Sequence, residues 1–151
     1  MPFDHSNKAL LRVDNLRIEI PGRRGTLVAV DDVSFHIGEG EVLGVVGESG
    51  AGKSLTGAAV IGLLEPPCRI AGGQIVFDGR RIDNLPYEKL RRIRGRHIGM
   101  VFQDPLTSLN PLYTVGRQLT ETILTHTDMS EKGARKRAIE LLQEVGIPAA
   151  E

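Results

Sequence analysis

The chain has 151 residues, of which 40% are hydrophobic and 25% charged, the composition of an ordinary globular protein with one sizeable core. Lysine plus arginine and aspartate plus glutamate both number 19, so no overall field draws the chain to nucleic acid or to an anionic membrane. Cys68 is the only cysteine, which excludes an internal disulfide and a cysteine-built metal site. The longest apolar run, residues 55–64, is shorter than the roughly 20 residues that span a bilayer, and residues 1–6 lack a secretion signal. We therefore expect a cytosolic protein with no membrane span of its own.

The first predicted elements are two antiparallel strands. Apolar and polar residues alternate through residues 11–20, with a slip at Asp14-Asn15 that predicts a bulge or bend. Residues 21–25 contain proline, glycine and arginine and break the strand, and the alternation resumes over residues 33–37. A basic loop therefore joins two half-exposed strands.

A phosphate-binding loop is predicted next. Residues 47–54 fit the pattern G-x-x-x-x-G-K-[ST], in which backbone N–H groups surround a di- or triphosphate. The glycines allow backbone dihedrals that are closed to other residues and a close approach to the ligand. Lys53 supplies a flexible point charge for the outer phosphates, and the Ser54 hydroxyl is a hard oxygen ligand suited to Mg²⁺. The residues of this predicted site are Gly47, Glu48, Ser49, Gly50, Ala51, Gly52, Lys53 and Ser54.

The flanks of the loop have the order strand, loop, helix that this motif requires. Residues 42–46 are apolar throughout, which predicts a short strand buried on both faces. Residues 55–64 predict a helix whose N-terminus points at the phosphates. This order makes a chance match on a surface turn the much weaker interpretation.

A linker and a further strand are predicted after this helix. Pro66-Pro67 and the glycine pair at residues 72–73 bracket the linker, because both interrupt regular structure. Residues 74–77 predict a short strand, which the dipeptide Asp78-Gly79 closes with a turn.

A short basic helix is predicted next. Asn84 is placed to cap it, and Tyr87, Leu90 and Arg94 fall on one side of it. Lysine and arginine cluster over residues 89–96, but no interleaved aromatic residues are present to stack on bases. A solvated helix face is therefore favoured over a nucleic-acid surface.

A second central strand is predicted over residues 98–102, which are again apolar throughout. We expect it to lie parallel to the strand of residues 42–46. Gln103 stands at its carboxyl end, where open α/β sheets place their ligands.

Two helices are predicted in the rest of the chain. Thr114 is placed to cap the first and Ser130 the second, and apolar residues recur at helical spacing in both. Gly146 and Pro148 supply the stop signal of the second helix.

Three segments of the chain resemble the ATP-binding subunits of ABC transporters, most closely those of oligopeptide, dipeptide and nickel importers. They are residues 44–50 (GVVGESG), 102–111 (FQDPLTSLNP) and 141–147 (LLQEVGI). The likeness covers residues 10–151 as a nucleotide-binding domain and leaves residues 1–9 as an N-terminal tail. It implies an α/β fold, the P-loop NTPase fold of ABC ATPase type. The fold is expected to be incomplete, with an N-terminal antiparallel β-subdomain, P-loop core strands and the start of the helical subdomain.

The resemblance also implies roles for particular residues. Residues 47–54 would be the Walker A loop, with Lys53 on the β- and γ-phosphates of ATP and Ser54 on Mg²⁺. Gln103 matches the glutamine that touches Mg²⁺ or the attacking water and senses the γ-phosphate. The family stacks adenine on an aromatic residue, whereas residues 23–28 contain none, so Leu27 is the candidate for an aliphatic platform.

As a function, the resemblance implies an ATPase that couples ATP binding and hydrolysis to the import of peptides or nickel. Its partners would be transmembrane permease subunits, a second ATP-binding subunit and, indirectly, a substrate-binding protein, with no nucleic acid. Its place would be peripheral, on the cytoplasmic face of the bacterial inner membrane. The family's signature sequence, Walker B carboxylates and switch histidine would follow residue 151. We therefore expect a fragment, truncated before these motifs, that binds ATP without turning it over and is marginally stable.

Two other interpretations stay open. A non-transport ABC-type ATPase acting on DNA or ribosomes would carry a long insertion between Ser54 and Gln103, and nothing there resembles one. A stand-alone nucleotide-binding or interfering module would bind ATP and a partner without turnover. Nucleotide binding and phosphate release, each compared with Lys53→Ala, separate these interpretations from an intact ATPase.

Overall fold

An antiparallel sheet organises the N-terminal part of the chain. In the computed structural model, which describes residues 9–104 and 108–147, the strands are β1 (Leu11–Gly22), β2 (Gly25–Ile37), β3 (Arg69–Phe77) and β4 (Arg80–Arg81). The helices are α1 (Lys53–Val60), α2 (Tyr87–Ile93), α3 (Val115–His126) and α4 (Glu131–Glu144). None of the helices within the described ranges is long and apolar enough to cross a membrane. The chain divides into two compact units, the first ending at Ile98 and the second beginning at Gly99.

Strand β1 lies inside the sheet, whose order is β2-β1-β3-β4 with every neighbouring pair antiparallel. The side chains of Val13, Leu16 and Ile18 on β1 are fully buried, as is that of Ile75 on β3. The predicted antiparallel pair is therefore confirmed. The connection within it is shorter than expected, because both strands extend until only residues 23–24 join them.

The slip predicted at Asp14-Asn15 is a bulge in β1. The pairing with β2 shifts register within residues 13–16, and Asn15 has a φ of 48°. The Asn15 side-chain amide donates to Asp32 at 2.6 Å, and its backbone N–H donates to the Ser34 hydroxyl at 2.7 Å. These polar contacts replace backbone pairing that the bulge interrupts.

The predicted linker is shorter than expected, because β3 already begins at Arg69 and includes residues 72–73. Gly73 has a φ of +85°, and a Cβ at this position would lie 2.4 Å from the carbonyl oxygens of both Asp14 and Asn15. The bulge of β1 therefore requires a glycine here, and this glycine does not end a linker.

The two turns on either side of β4 differ in how well the sequence predicts them. Asp78 and Gly79 have φ values of 46° and 73°, so the predicted turn between β3 and β4 is confirmed. The prediction that Asn84 caps α2 is wrong, because Pro86 occupies the N-cap position and no side chain caps the helix. Of the residues predicted to share one side of α2, Leu90 is buried, whereas Tyr87 is 65% exposed.

The two apolar runs predicted as central strands form no strand in the described structure. Val42 and Val46 are 93% and 94% exposed, and Val101 is 97% exposed. Ile98 makes a single bridge, to Arg94. A strand buried on both faces needs hydrogen-bonding neighbours and covering layers. No described segment supplies them to residues 42–46 or 98–102, so these strand predictions are wrong for this structure.

The second unit contains α3 and α4, which pack against each other. Thr114 and Ser130 cap them as predicted, since each hydroxyl accepts the backbone N–H three residues later, at 3.3 Å and 3.2 Å. Helix α4 ends at the predicted stop, where Gly146 has a φ of 79°. Pro148 lies outside the described residues.

Candidate functional site

The predicted phosphate-binding loop, residues 47–54, is a mostly exposed turn that leads directly into α1. Gly50 and Gly52 both have a φ of +83°, where residues with a Cβ are strained. The Ala51 N–H donates to the Glu48 carbonyl at 3.2 Å and closes the turn. Gly52 is the N-cap of α1 and offers no side chain to the first turn. The N–H groups at this helix end are therefore available to an anion.

The sheet supports this loop at Gly52. The pairing of β1 with β2 also shifts register around Ala29, which makes a further bulge. A Cβ on Gly52 would lie 2.7 Å from the Val30 side chain and 2.9 Å from the Ala29 carbonyl oxygen. Close packing and a positive φ therefore both require glycine, and the contact fixes the start of α1 against β2.

Lys53 lies across the loop. Its Nζ donates to the carbonyl oxygens of Gly47 and Glu48, at 2.7 Å each. These bonds hold the ammonium group at the mouth of the loop, beside the N-terminus of α1. A cation and a helix N-terminus at one place both attract an anion, which is the arrangement that the sequence predicts.

Ser54 is exposed on the first turn of α1. Its hydroxyl is a hard oxygen donor of the kind that Mg²⁺ prefers. One hydroxyl is a sparse donor set, and it suits Mg²⁺ because this ion usually retains several waters and shares the phosphate oxygens of its nucleotide. The residues present therefore fit a Mg²⁺ ion that arrives with a nucleotide.

The two other predicted site residues have different positions. Leu27 lies on β2, opposite Ile20 and close in sequence to the bulge that supports the loop, and it is 64% exposed. Gln103 is exposed in the second unit, whereas the loop belongs to the first. The structure therefore places Leu27 on the strand that supports the loop, and the part of Gln103 in the site stays a prediction.

The far end of α1 differs from the sequence prediction. The helix begins at Lys53 and ends at Val60, four residues before the end of the predicted run, because Gly62 has a φ of +65°. The Gly62 N–H donates to Ala59 and the Leu63 N–H to Ala58, the pattern of a helix that ends at a left-handed glycine. Gly62 inside an apolar helical run was the signal for this early end.

Arg94 is a residue whose role the sequence analysis missed. Its Nε donates to the Ile61 carbonyl at 2.7 Å, and its Nη2 donates to the Gly62 carbonyl. The guanidinium also lies 5.6 Å from the centre of the Tyr87 ring. The predicted solvated face holds for Arg92, which is exposed, but Arg94 is half-buried against the end of α1.

Carboxylates in the sheet are stabilised in their charged form. The side chain of Asp83 is only 6% exposed, and this burial by itself would raise the pKa of its carboxyl group. Hydrogen bonds from Arg81 and from the Ile75 N–H outweigh burial and hold the pKa of Asp83 below its usual value. On β1, inside the sheet, hydrogen bonds from Arg17 and Arg69 lower the pKa of Glu19. The Arg69–Glu19 pair joins β3 to β1.

Comparisons with known proteins show the family of the chain. The ABC transporter family matches residues 30–151, and the chain belongs to that family. Over 143 residues the chain is 45% identical to the oligopeptide transport ATP-binding protein OppD of Bacillus subtilis, covering 94% of this chain and 40% of OppD. It is 42% identical over 140 residues to the dipeptide transport ATP-binding protein DppD of Escherichia coli, covering 93% and 43%. The chain thus spans about two fifths of the length of these relatives.

Solved structures give the same fold family. A dimeric post-hydrolysis state of the ATP-binding cassette MJ0796, bound to ADP and Pi, matches with a TM-score of 0.77 and 27% identity. The match covers 88% of this chain and 56% of that cassette. The chain therefore has the ABC ATPase fold in part, as the sequence predicts.

Proposed function

We propose that the chain is the nucleotide-binding part of an ATP-binding subunit in a bacterial peptide importer. In this proposal residues 47–54 bind the phosphates of Mg·ATP. The observation that carries it is the loop itself, in which two left-handed glycines, the N-terminus of α1 and the Lys53 ammonium converge on one exposed surface. Relatives whose names give oligopeptide and dipeptide transport support the substrate class.

Each loop residue has a part in the proposed binding step. Lys53 exchanges its two carbonyl partners, Gly47 and Glu48, for the β- and γ-phosphate oxygens, which carry more charge and accept stronger hydrogen bonds. The N–H groups of the loop and of the first turn of α1 donate to the same phosphates. Ser54 would hold Mg²⁺, which neutralises charge on the phosphates when it is bound. ATP supplies the phosphoryl group whose transfer to water releases free energy for transport.

Two further residues have proposed roles toward the nucleotide. Leu27 provides an apolar surface for adenine, supported by its exposure on β2. Gln103 senses the γ-phosphate through an uncharged amide that can accept from water or ligate Mg²⁺.

The proposed assembly contains transmembrane permease subunits and a second ATP-binding subunit, with a substrate-binding protein that delivers the peptide. The dimeric state of the solved cassette MJ0796 supports the pairing of two ATP-binding subunits. The proposed place is the cytoplasmic face of the cell membrane, because that is where ATP and permease subunits are both accessible.

The test compares Mg·ATP binding by the protein expressed from its intact gene with binding by Lys53→Ala. Loss of the two charge-assisted hydrogen bonds should raise the Kd about ten- to a hundredfold. Lys132→Ala, which removes an exposed lysine of α4, is the matched control and should bind like the original protein. Ser54→Ala should weaken the dependence of binding on Mg²⁺. Equal affinity in Lys53→Ala and Lys132→Ala would contradict the proposed site.

Phosphate release by the 151-residue polypeptide alone tests the separate expectation that it binds ATP without turnover. Steady release that disappears in Lys53→Ala would overturn that expectation and leave the binding site intact. Binding without release in the protein from the intact gene would favour a non-catalytic module instead.

A further inference from the structure

Helix α1 has few attachments to the rest of its unit. It has eight residues, its N-cap offers no side-chain hydrogen bond, and within the helix only Ala59 and Val60 are buried. Its first end rests on the β2 bulge through Gly52. The direction of so short a helix therefore depends strongly on what holds its other end.

That other end is held by α2 and the residue that follows it. Arg94 donates through Nε to the Ile61 carbonyl and through Nη2 to the Gly62 carbonyl. Leu90 packs on the same turn so closely that a Cβ on Gly62 would lie 2.2 Å from its Cδ2. The Tyr87 ring lies beneath the guanidinium, 5.6 Å from it. Two hydrogen bonds, an aromatic ring and an apolar contact thus meet at the C-terminal turn of α1.

An arginine suits this position physically. The last carbonyls of a helix have no partner inside the helix and carry the negative end of its dipole. A planar guanidinium can donate in a fixed direction to two carbonyls at once, here those of Ile61 and Gly62, which directly follow Val60 at this end. A lysine ammonium can supply the charge but not the fork. Arg94 therefore fixes both the place and the direction of the end of α1.

We propose that Arg94 is a positioning residue for the phosphate-binding loop. This inference rests on the proposed function and extends it to a residue 40 positions beyond the motif. Arg94 holds the C-terminal turn of α1, Gly52 holds the start, and together they aim the first-turn N–H groups and Lys53 at the phosphates. When Arg94 is replaced, the C-terminal end of α1 loses its two hydrogen bonds and the helix tilts. The N–H donors at its N-terminus then no longer converge on one anion.

The experiment uses the protein from its intact gene and the variants Arg94→Ala, Arg94→Lys and Arg92→Ala. Arg92 is exposed on α2, two residues before Arg94, and serves as the matched control. The measurements are the Kd for Mg·ATP and the ³¹P chemical shift of the β-phosphate of bound nucleotide at saturation. Lost stability alone lowers the folded fraction and leaves the shift of the bound nucleotide where it was, so the shift reports positioning.

For Arg94→Ala we expect an about tenfold higher Kd and a displaced β-phosphate resonance, since two charge-assisted hydrogen bonds are lost. Arg94→Lys should restore part of the affinity, and Arg92→Ala should match the original protein in both measurements. If Arg94→Ala does not fold, the test rests on Arg94→Lys. A Kd and a β-phosphate chemical shift equal to those of the original protein in that variant would overturn the proposal. If the original protein binds Mg·ATP and Arg94→Ala has the same Kd and the same β-phosphate chemical shift, the inference about Arg94 is refuted while the proposed function stands. Failure of the original protein to bind refutes the proposed function and the inference together.

Discussion

Alanine at the two left-handed glycines of the loop should have unequal effects on stability. Gly50 and Gly52 share a φ of +83°, so alanine at either position carries the strain of a left-handed residue, about 1–2 kcal/mol. At Gly50 a Cβ would meet nothing within 4 Å. At Gly52 it would lie 2.7 Å from the Val30 side chain and 2.9 Å from the Ala29 carbonyl oxygen. Because a backbone oxygen cannot rotate away, this overpacking adds about 1–3 kcal/mol.

Urea unfolding of the nucleotide-free protein measures both variants. Gly50→Ala should lower the free energy of unfolding by about 1–2 kcal/mol and Gly52→Ala by about 2–5 kcal/mol. The comparison isolates the packing of the loop on β2, because the dihedral strain is common to both variants. Equal losses of stability, or a larger loss at Gly50, would refute the conclusion that the β2 bulge supports the loop.

Two further substitutions test contacts elsewhere in the chain. The pKa of Asp83 lies below its ordinary 3.8, so its bonds to Arg81 stabilise the fold above that value and are lost as the pH falls through the lower folded pKa. Asp83→Asn should therefore cost about 1–3 kcal/mol at pH 7 and less in strong acid, and urea unfolding at both pH values measures the difference. Gln118 donates to two carbonyls of the loop at residues 110–113, at 3.0 Å each, and accepts the Asn110 N–H at 2.8 Å. Gln118→Glu keeps the acceptor and loses both donors, so amide hydrogen exchange in that loop should accelerate while the middle of α4 stays protected.

Local signals in the sequence predict local structure well here. The Asp78-Gly79 turn and the Thr114 and Ser130 caps depend on a few neighbouring residues and on side chains that reach their own backbone. The bulge at residues 14–15 belongs to the same group. The break in alternation marks the point where an extra residue returns the later apolar side chains to the buried face of the sheet. These predictions need no knowledge of distant parts of the chain.

Apart from the Asn84 cap, which is a local prediction that fails because Pro86 is the N-cap of α2, the predictions discussed next fail because they depend on distant partners. The apolar composition of residues 42–46 and 98–102 predicts burial on both faces, but it does not specify which segment pairs with each run. Gly73 resembles a linker residue because its true partner, the carbonyl of Asn15, lies on another strand. The same is true of Arg94, which looks like one cation in a basic cluster until Ile61 is placed beside it.

The candidate site combines these two kinds of information. The motif at residues 47–54 specifies the groups that we propose to bind phosphate, and their chemistry alone identifies them. The groups that aim those residues are the Ala29 bulge at one end of α1 and Arg94 at the other, and both are set by tertiary contacts. A binding loop of fixed sequence can therefore differ in affinity between relatives whose motifs are identical, because the helix behind the loop is held by residues outside it. For this chain, mutations at positions 30 and 94, whose side chains meet Gly52 and Ile61, should change nucleotide affinity without altering any group proposed to contact the nucleotide.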